Sequence, residues 1–152
     1  MLTPIPLNLP AYSLKLRRDQ QRLFIYDELR KKYLVLTPEE WVRQHWIQHL
    51  ILAKGYPKAL IQAEGGLKLN ALQKRTDLVV FSKTGKRLLI AELKAPSVKI
   101  TQAAFEQIAR YNIVHKVPYL IVSNGLQHYY CFIDHEKESY TFLEDLPLFE
   151  EL

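Results

Sequence analysis

The stretch TDLVVFSKTGKRLLIAELKA, residues 76–95, decides the fold of this chain. It contains two runs dense in aliphatic and aromatic residues, 76–82 and 87–95, separated by four residues that are typical of a hairpin turn. The second run is apolar on both of its faces, and such a strand usually lies in the middle of a sheet beneath helices. We therefore predict two paired central strands joined by a turn at 83–86.

Three charged residues fall at the same end of this predicted hairpin. Asp77 opens the first strand, and Glu92 and Lys94 share one face near the end of the second, because side chains alternate along a strand. Counting outward from the turn places Asp77 opposite the region of Glu92. Two carboxylates suit Mg²⁺, and an adjacent amine would hold water or offset charge on a phosphate. An ordinary ion pair at a strand end is the alternative interpretation.

The flanking segments predict how helices cover this hairpin. Thr37-Pro38-Glu39-Glu40 is typical of a helix start, and the helix should run over 38–54 and stop at Gly55. Strand-like runs follow at 60–70, 118–124 and 128–134, and a second helix at 101–116. This order predicts an α/β domain with a mixed central β-sheet flanked by helices. The second helix should be the right-handed crossover between strand 87–95 and a parallel strand at 119–123.

These motifs resemble a known superfamily. Asp77, then Glu92-Leu93-Lys94, then a helix with the sequence FEQIARY resemble the PD-(D/E)xK nucleases. More narrowly, they resemble the N-terminal nuclease domain of type I restriction enzyme R subunits in its stand-alone form, over residues 34–134. Thr76 stands where the superfamily has proline. The resemblance implies a restriction-endonuclease-like fold and hydrolysis of phosphodiester bonds in DNA that depends on Mg²⁺, or on Mn²⁺ in its place.

The resemblance also implies a role for each matching residue. Asp77, Glu92 and the backbone carbonyl of Leu93 would bind the metal ion, and Lys94 would be the catalytic amine. Gln107 would point toward the active centre, with Tyr111 beside it. Glu40 is a candidate for a further metal ligand, and as the third residue of its helix it is equally suited to a capping box.

Two other functions remain open at this stage. A chain with this fold would also serve as a non-catalytic module that binds nucleic acid or assembles a complex, and a purely structural domain is the third alternative. DNA binding is expected through Tyr111 and through basic residues that flank the predicted site, which are Lys74, Arg75, Lys99 and Arg110. Residues 15–32, with seven basic and three acidic residues, would grip backbone phosphates. The sequence shows no recognition helix and no stacking motif.

Composition sets further expectations. The 152 residues carry a formal net charge of +5 and fit one domain, with an N-terminal arm and helix or strand over 1–33, a core over 34–134 and an acidic tail over 135–152. No apolar run is long enough to span a membrane, so we expect a soluble cytoplasmic protein. Gly85-Lys86 lacks the glycine-rich loop of an ATP site.

The remaining candidate residues are expected to be structural. His45 and His49 stand four residues apart but lack the glutamate of a zinc-protease motif, and Cys131 lies within a strand run. Tyr129, Tyr130 and Phe132 fit a core strand better than an exposed surface. Because one metal centre cuts one strand at a time, double-strand cleavage would need a second centre, most simply in a two-fold dimer.

Overall fold

The computed structural model describes residues 4–63 and 78–152. Within these residues the strands form two sheets, one of three strands in the order β1-β2-β3 and one of six strands in the order β4-β5-β6-β7-β8-β9. Of the sequence-predicted features, Lys74, Arg75, Thr76, Asp77 and residues 64–70 of the strand-like run at 60–70 lie outside the described residues. In the described part of the chain no helix is long and apolar enough to cross a membrane.

The small sheet follows an extended segment at residues 4–15. Strands β1 (Leu16–Asp19), β2 (Arg22–Asp27) and β3 (Lys32–Val35) pair in antiparallel fashion. The sequence left this region open between a helix and a strand followed by a helix, and the structure resolves it as strands throughout. Two tight turns join these strands. They contain Gln20 and Lys31, which both adopt a left-handed backbone conformation with φ of 57°.

Helix α1 (Pro38–Gln48) begins as predicted. The hydroxyl of Thr37 accepts a 3.0 Å hydrogen bond from the backbone N–H of Glu40, which satisfies one of the free donors of the first turn. The helix then widens into a π-helical turn at His49–Ala53 before Gly55, where φ is +73°. Gly55 therefore ends the segment where the sequence predicted, through the left-handed conformation that glycine adopts at low cost.

The large sheet contains the hairpin that the sequence predicted. Strands β4 (Ile61–Ala63), β5 (Leu78–Phe81) and β6 (Arg87–Leu93) are antiparallel neighbours, and β7 (Tyr119–Ser123) runs parallel to β6. Helix α2 (Gln102–His115) connects the two parallel strands. Strands β8 (His128–Asp134) and β9 (Ser139–Leu143) complete the sheet by antiparallel pairing. The predicted α/β fold with a mixed central sheet, of the restriction-endonuclease-like class, is confirmed.

Each face of the large sheet carries one helix. On one face α1 packs against alternate residues of the central strands, and this cluster includes Trp46, Leu89, Ala91, Leu93 and Ile121. On the other face α2 packs through Phe105 and Ala109 on Leu120, Val122 and Cys131. The alternation of β6 between these layers explains why its sequence is apolar on both faces.

The expectation of an acidic tail needs correction. Residues 135–152 are acidic, but they include β9, the buried Leu146 and a short 3₁₀ turn at Phe149–Glu151. The backbone N–H of Phe149 donates a 3.0 Å hydrogen bond to the carbonyl of Lys54. Leu146, Phe149 and Leu152, which stand between or beside the acids, pack on the core, while the acidic side chains of this segment remain exposed.

Candidate active site at the carboxyl end of strand β6

The end of β6 holds a buried carboxylate beside a lysine. The side chain of Glu92 is only 6% exposed, whereas that of Lys94 is 32% exposed. The ammonium Nζ of Lys94 donates a 3.3 Å hydrogen bond to Oε1 of Glu92. Burial of an unpaired carboxylate is costly, so this pairing accounts for the charge being tolerated inside the fold. The two side chains lie on one face of the strand, as the spacing of two predicted.

The register of the described part of the hairpin matches the register that the sequence predicted. Leu78 pairs with Ala91, Val79 with Ile90 and Val80 with Leu89. Leu78 follows Asp77 in the sequence and Ala91 precedes Glu92, so the described pairing has the register that the turn at 83–86 predicted. A bulge between Val80 and Phe81 shifts the pairing only at the turn end of the hairpin.

The neighbouring strand β7 fixes the end of β6 from the other side. Leu93 pairs with Ser123, and the backbone N–H of Lys94 donates a 2.8 Å hydrogen bond to the carbonyl of Ser123. The hydroxyl of Ser123 in turn accepts a 2.9 Å bond from the indole N–H of Trp46 and contacts Nδ1 of His128 at 2.7 Å. Sequence reasoning missed this polar support, although a lone serine closing an apolar strand was a visible signal.

Helix α2 lies on the same face of the sheet as Glu92. Glu92 pairs with Val122, and in a parallel pair the two side chains share a face; Val122 packs under α2. Gln107 and Arg110 are exposed on this helix and Tyr111 is half-buried, and the three help to line a surface pocket of about 350 Å³. The structure therefore brings these three predicted residues together on one side of α2. Lys99 is exposed on the loop that leads into the helix.

Arg110 also borders a larger cavity. This cavity, of about 790 Å³, lies between the second half of α2 and the turn between β8 and β9, and its wall includes Lys116, His135 and Tyr140. Tyr111 is half-buried and stacks on His115, with ring centroids 4.5 Å apart. The exposed guanidinium of Arg110 and the ring of Tyr111 thus both line the smaller pocket on α2.

Glu40 occupies a different environment. It lies on α1, which covers the face of the sheet opposite to Glu92, and it is 8% exposed. Its carboxylate accepts a 2.9 Å hydrogen bond from Nε of Arg43 and another of 2.9 Å from the amide of Gln44, and it forms a close ion pair with the Arg43 guanidinium. Its side chain is therefore engaged along its own helix, and its role as a metal ligand stays a prediction.

The residues expected to be structural are buried or half-buried, except Phe132, for which the expectation of a core position needs correction. Burial lowers the pKa of both His45 and His49 below the usual value, while Nδ1 of His45 donates to the carbonyl of Trp41 and Nδ1 of His49 bonds the hydroxyl of Tyr12. Burial also raises the pKa of the Cys131 thiol to about 12. Tyr129 and Tyr130 pack against the two core clusters, whereas Phe132 is 38% exposed.

The donor chemistry at the end of β6 suits a hard cation. Within residues 4–63 and 78–152 no three histidine, cysteine or acidic side chains lie together as a metal site. The described donors are the carboxylate of Glu92 and the backbone of Leu93, and Asp77 lies outside this range. Carboxylate and carbonyl oxygens are the ligands that Mg²⁺ takes, and its remaining positions are usually filled by water and substrate phosphate.

Comparison with known proteins places the chain in a family. No curated protein gives a significant match. A family model described as type I restriction enzyme R protein N terminus matches residues 38–147, which is well over half of the chain. The matched range includes α1, the central strands and α2, and so contains every described candidate site residue. The chain therefore belongs to the family of type I restriction enzyme R protein N-terminal domains.

Proposed function

We propose that the chain is a metal-dependent nuclease of the PD-(D/E)xK type that hydrolyses phosphodiester bonds in DNA. The observation that carries this proposal is the contact between the exposed amine of Lys94 and the buried carboxylate of Glu92 at the end of a central strand. The register of Leu78 with Ala91 supports a site that also includes Asp77, since these two residues adjoin Asp77 and Glu92 in the sequence.

In the proposed site Asp77, Glu92 and the carbonyl of Leu93 would hold Mg²⁺. When bound, the cation would lower the pKa of a coordinated water and offset the charge on the scissile phosphate. Glu92 fixes the position of the Lys94 ammonium, since their hydrogen bond limits the rotamers open to the lysine. From there Lys94 would donate a hydrogen bond to the attacking water or to a phosphate oxygen, where negative charge grows in the transition state.

Residues around the site would position the DNA backbone. Lys99 and Arg110 are exposed cations before and on α2, and Lys74 and Arg75 precede Asp77 in the sequence. Contacts of this kind go to phosphates and carry no sequence information. Gln107 would approach the reacting phosphate from α2, with Tyr111 beside it. We therefore propose a nuclease without intrinsic sequence specificity.

The proposal is tested by separating metal binding from turnover. Titration of Mn²⁺ should show binding that Asp77→Ala abolishes and Lys94→Ala retains, because the lysine is not a ligand. Cleavage of DNA with Mg²⁺ or Mn²⁺ should be lost in both variants and in EDTA. Lys86→Ala, in the exposed hairpin turn, is the matched control and should leave both properties unchanged.

Two outcomes would contradict this assignment. Cleavage that persists in Lys94→Ala would place the activity elsewhere or in a contaminant. Mn²⁺ binding by the unmodified chain with no cleavage of single-stranded or duplex DNA would instead identify a non-catalytic module that has kept the metal site. On supercoiled plasmid a single centre should give nicked circles first, whereas linear product that forms without accumulation of nicked circles would indicate a two-fold dimer.

A further inference from the structure

The small N-terminal sheet presents a face with an unusual composition to solvent. Side chains directly opposite each other across antiparallel strands share a face. Ile25, which is fully buried, pairs with Leu16 and Leu34, so these three residues define the inner face of the sheet. The opposite side, here called the outer face, carries the aromatic residues Phe24, Tyr26 and Tyr33 with the basic residues Lys15, Arg17 and Arg22.

The aromatic rings of the outer face are neighbours. Tyr26 pairs with Tyr33 across β2 and β3, and their ring centroids are 5.3 Å apart. Phe24 follows two residues before Tyr26 on the same strand and so shares its face. Tyr33 is 38% exposed, which is high for a large aromatic residue within a sheet. The result is a short, continuous row of π surfaces at the surface of the molecule.

Each ring has a cation beside it. Nζ of Lys15 lies 5.0 Å from the centroid of Tyr26, and the guanidinium carbons of Arg17 and Arg22 lie 5.7 Å from Tyr33 and 6.0 Å from Phe24. These long, exposed side chains lie over the rings. Because such cation–π contacts at exposed sites are weak, a ligand that offers both stacking surface and negative charge would displace the cations onto its charged groups.

The charge of this region favours an anionic partner. Residues 15–32 hold seven basic and three acidic side chains, a balance of +4 out of +5 for the whole chain. Two of the three acids are engaged away from the outer face: Asp27 is buried and paired with Arg30, and Glu28 is paired with Lys58. Asp19 alone stands on the outer face, opposite Arg22.

We propose that the outer face binds single-stranded nucleic acid, with bases stacked on Phe24, Tyr26 and Tyr33 and phosphates held by Lys15, Arg17 and Arg22. Exposed bases stack on such rings, whereas the bases of a duplex are already stacked on each other. The surface precedes residues 38–147, which the family model matches. It goes beyond the proposed nuclease activity and does not depend on it.

Binding is measured in EDTA, so that cleavage plays no part. The probe is a fluorescein-labelled oligothymidylate of about 12 nucleotides, a length within the range that a stacking module covers. Tyr33→Ala should weaken binding about tenfold, and Tyr33→Phe should restore it, because only the π surface is needed. Arg17→Gln should weaken binding and reduce its dependence on salt, since fewer counterions are then released.

Matched variants distinguish this surface from general charge and exposure. Phe142 is a 51% exposed aromatic residue on β9, and Lys137 is an exposed cation in the turn before that strand, so Phe142→Ala and Lys137→Gln should leave binding unchanged. Equal affinity for duplex of the same length, or a Tyr33→Ala variant that binds as well as the parent, would overturn the proposal. Binding to heparin alone would do the same, because it would show attraction without stacking.

Discussion

Nε2 of His128 donates a 2.7 Å hydrogen bond to the backbone carbonyl of Asn8, which ties the N-terminal segment to the start of β8. Since a carbonyl only accepts, this bond places the proton of the neutral ring on Nε2 and leaves Nδ1 as an acceptor for the hydroxyl of Ser123. Ser123 then has free lone pairs for the N–H groups of Trp46 and Gly125, both at 2.9 Å. Neutral His128 therefore satisfies the whole network.

The network predicts a loss of stability in mild acid. Burial lowers the pKa of His128, His49 and His45 below the usual 6.5. The unfolded chain therefore binds protons near pH 6.5 that the folded chain does not, so this stability is fully present above 6.5 and is lost as the pH falls through the lower folded-state values. Urea unfolding between about pH 5 and 7.5 should show the free energy of unfolding decreasing by up to about 1.4 kcal/mol per pH unit for each histidine.

Substitution of His128 measures how much of this pH dependence comes from that residue. His128→Gln removes one of the three groups and should give a shallower slope, although its stability at neutral pH should fall because the contact with Asn8 changes. His115→Gln is the control, since it leaves all three groups in place. An unchanged slope in His128→Gln would exclude His128 as a source of the effect.

Two glycines with the same backbone conformation give a steric prediction. Gly125 and Gly85 both have φ of +87°, which strains any other residue. A Cβ on Gly125 would lie 2.8 Å from Cδ2 of Leu7 and 3.0 Å from Cγ2 of Val42, whereas a Cβ on Gly85 meets no atom within 4 Å. Gly125→Ala should therefore destabilise the protein by about 1 to 3 kcal/mol more than Gly85→Ala does.

Equilibrium unfolding of both variants measures that difference. Leu7 lies in the N-terminal segment, so hydrogen exchange at Asn8 should also become faster in Gly125→Ala and not in Gly85→Ala. Equal destabilisation by the two substitutions would mean that Leu7 moves aside without cost.

The ion pair between Glu40 and Arg43 predicts a pattern in a mutant cycle. Both side chains are less than one-tenth exposed, so removing one charge leaves the other buried. Glu40→Gln and Arg43→Met should each lower the free energy of unfolding by about 3 kcal/mol or more, and the double variant should be more stable than their sum implies. Mn²⁺ titration of Glu40→Gln then tests the metal role, because a folded variant with unchanged affinity would remove Glu40 from the ligand set.

Cys131 should be chemically silent in the folded protein. Its side chain is 1% exposed, and burial raises the pKa of the thiol to about 12, so almost no thiolate exists near neutral pH. A thiol reagent at about pH 8 should react only after denaturant is added. Rapid reaction of the native protein would show that β8 opens locally.

The sequence predicted the hairpin and the crossover because both depend on local signals. The turn at 83–86 sets the pairing of Leu78 with Ala91, and helix α2 is long enough to return the chain to a parallel strand. The small sheet was not predicted, since the apolar spacing of Leu16, Leu23, Tyr26 and Leu29 suits a helix equally well. The strands there depend on left-handed turns at Gln20 and Lys31, residue types that do not signal such a turn.

The sequence likewise predicted some contacts of the candidate site and not others. The spacing of two places Glu92 and Lys94 together on one strand, and the structure confirms that contact. A capping box would have the Glu40 carboxylate accept a hydrogen bond from the backbone N–H of Thr37. The carboxylate instead bonds Arg43 and Gln44, because these residues lie one helical turn away. The stacking row of the outer face was overlooked because its rings come from two strands whose pairing was not foreseen.

Both ends of the described chain complete the same core. Leu7 and Leu9 pack against the α1 cluster, and so do Leu146, Phe149 and Leu152. During synthesis, the helix and central strands would leave the ribosome well before residues 146–152. The cluster beneath α1 would therefore keep apolar surface open to water until those residues have emerged and packed against it.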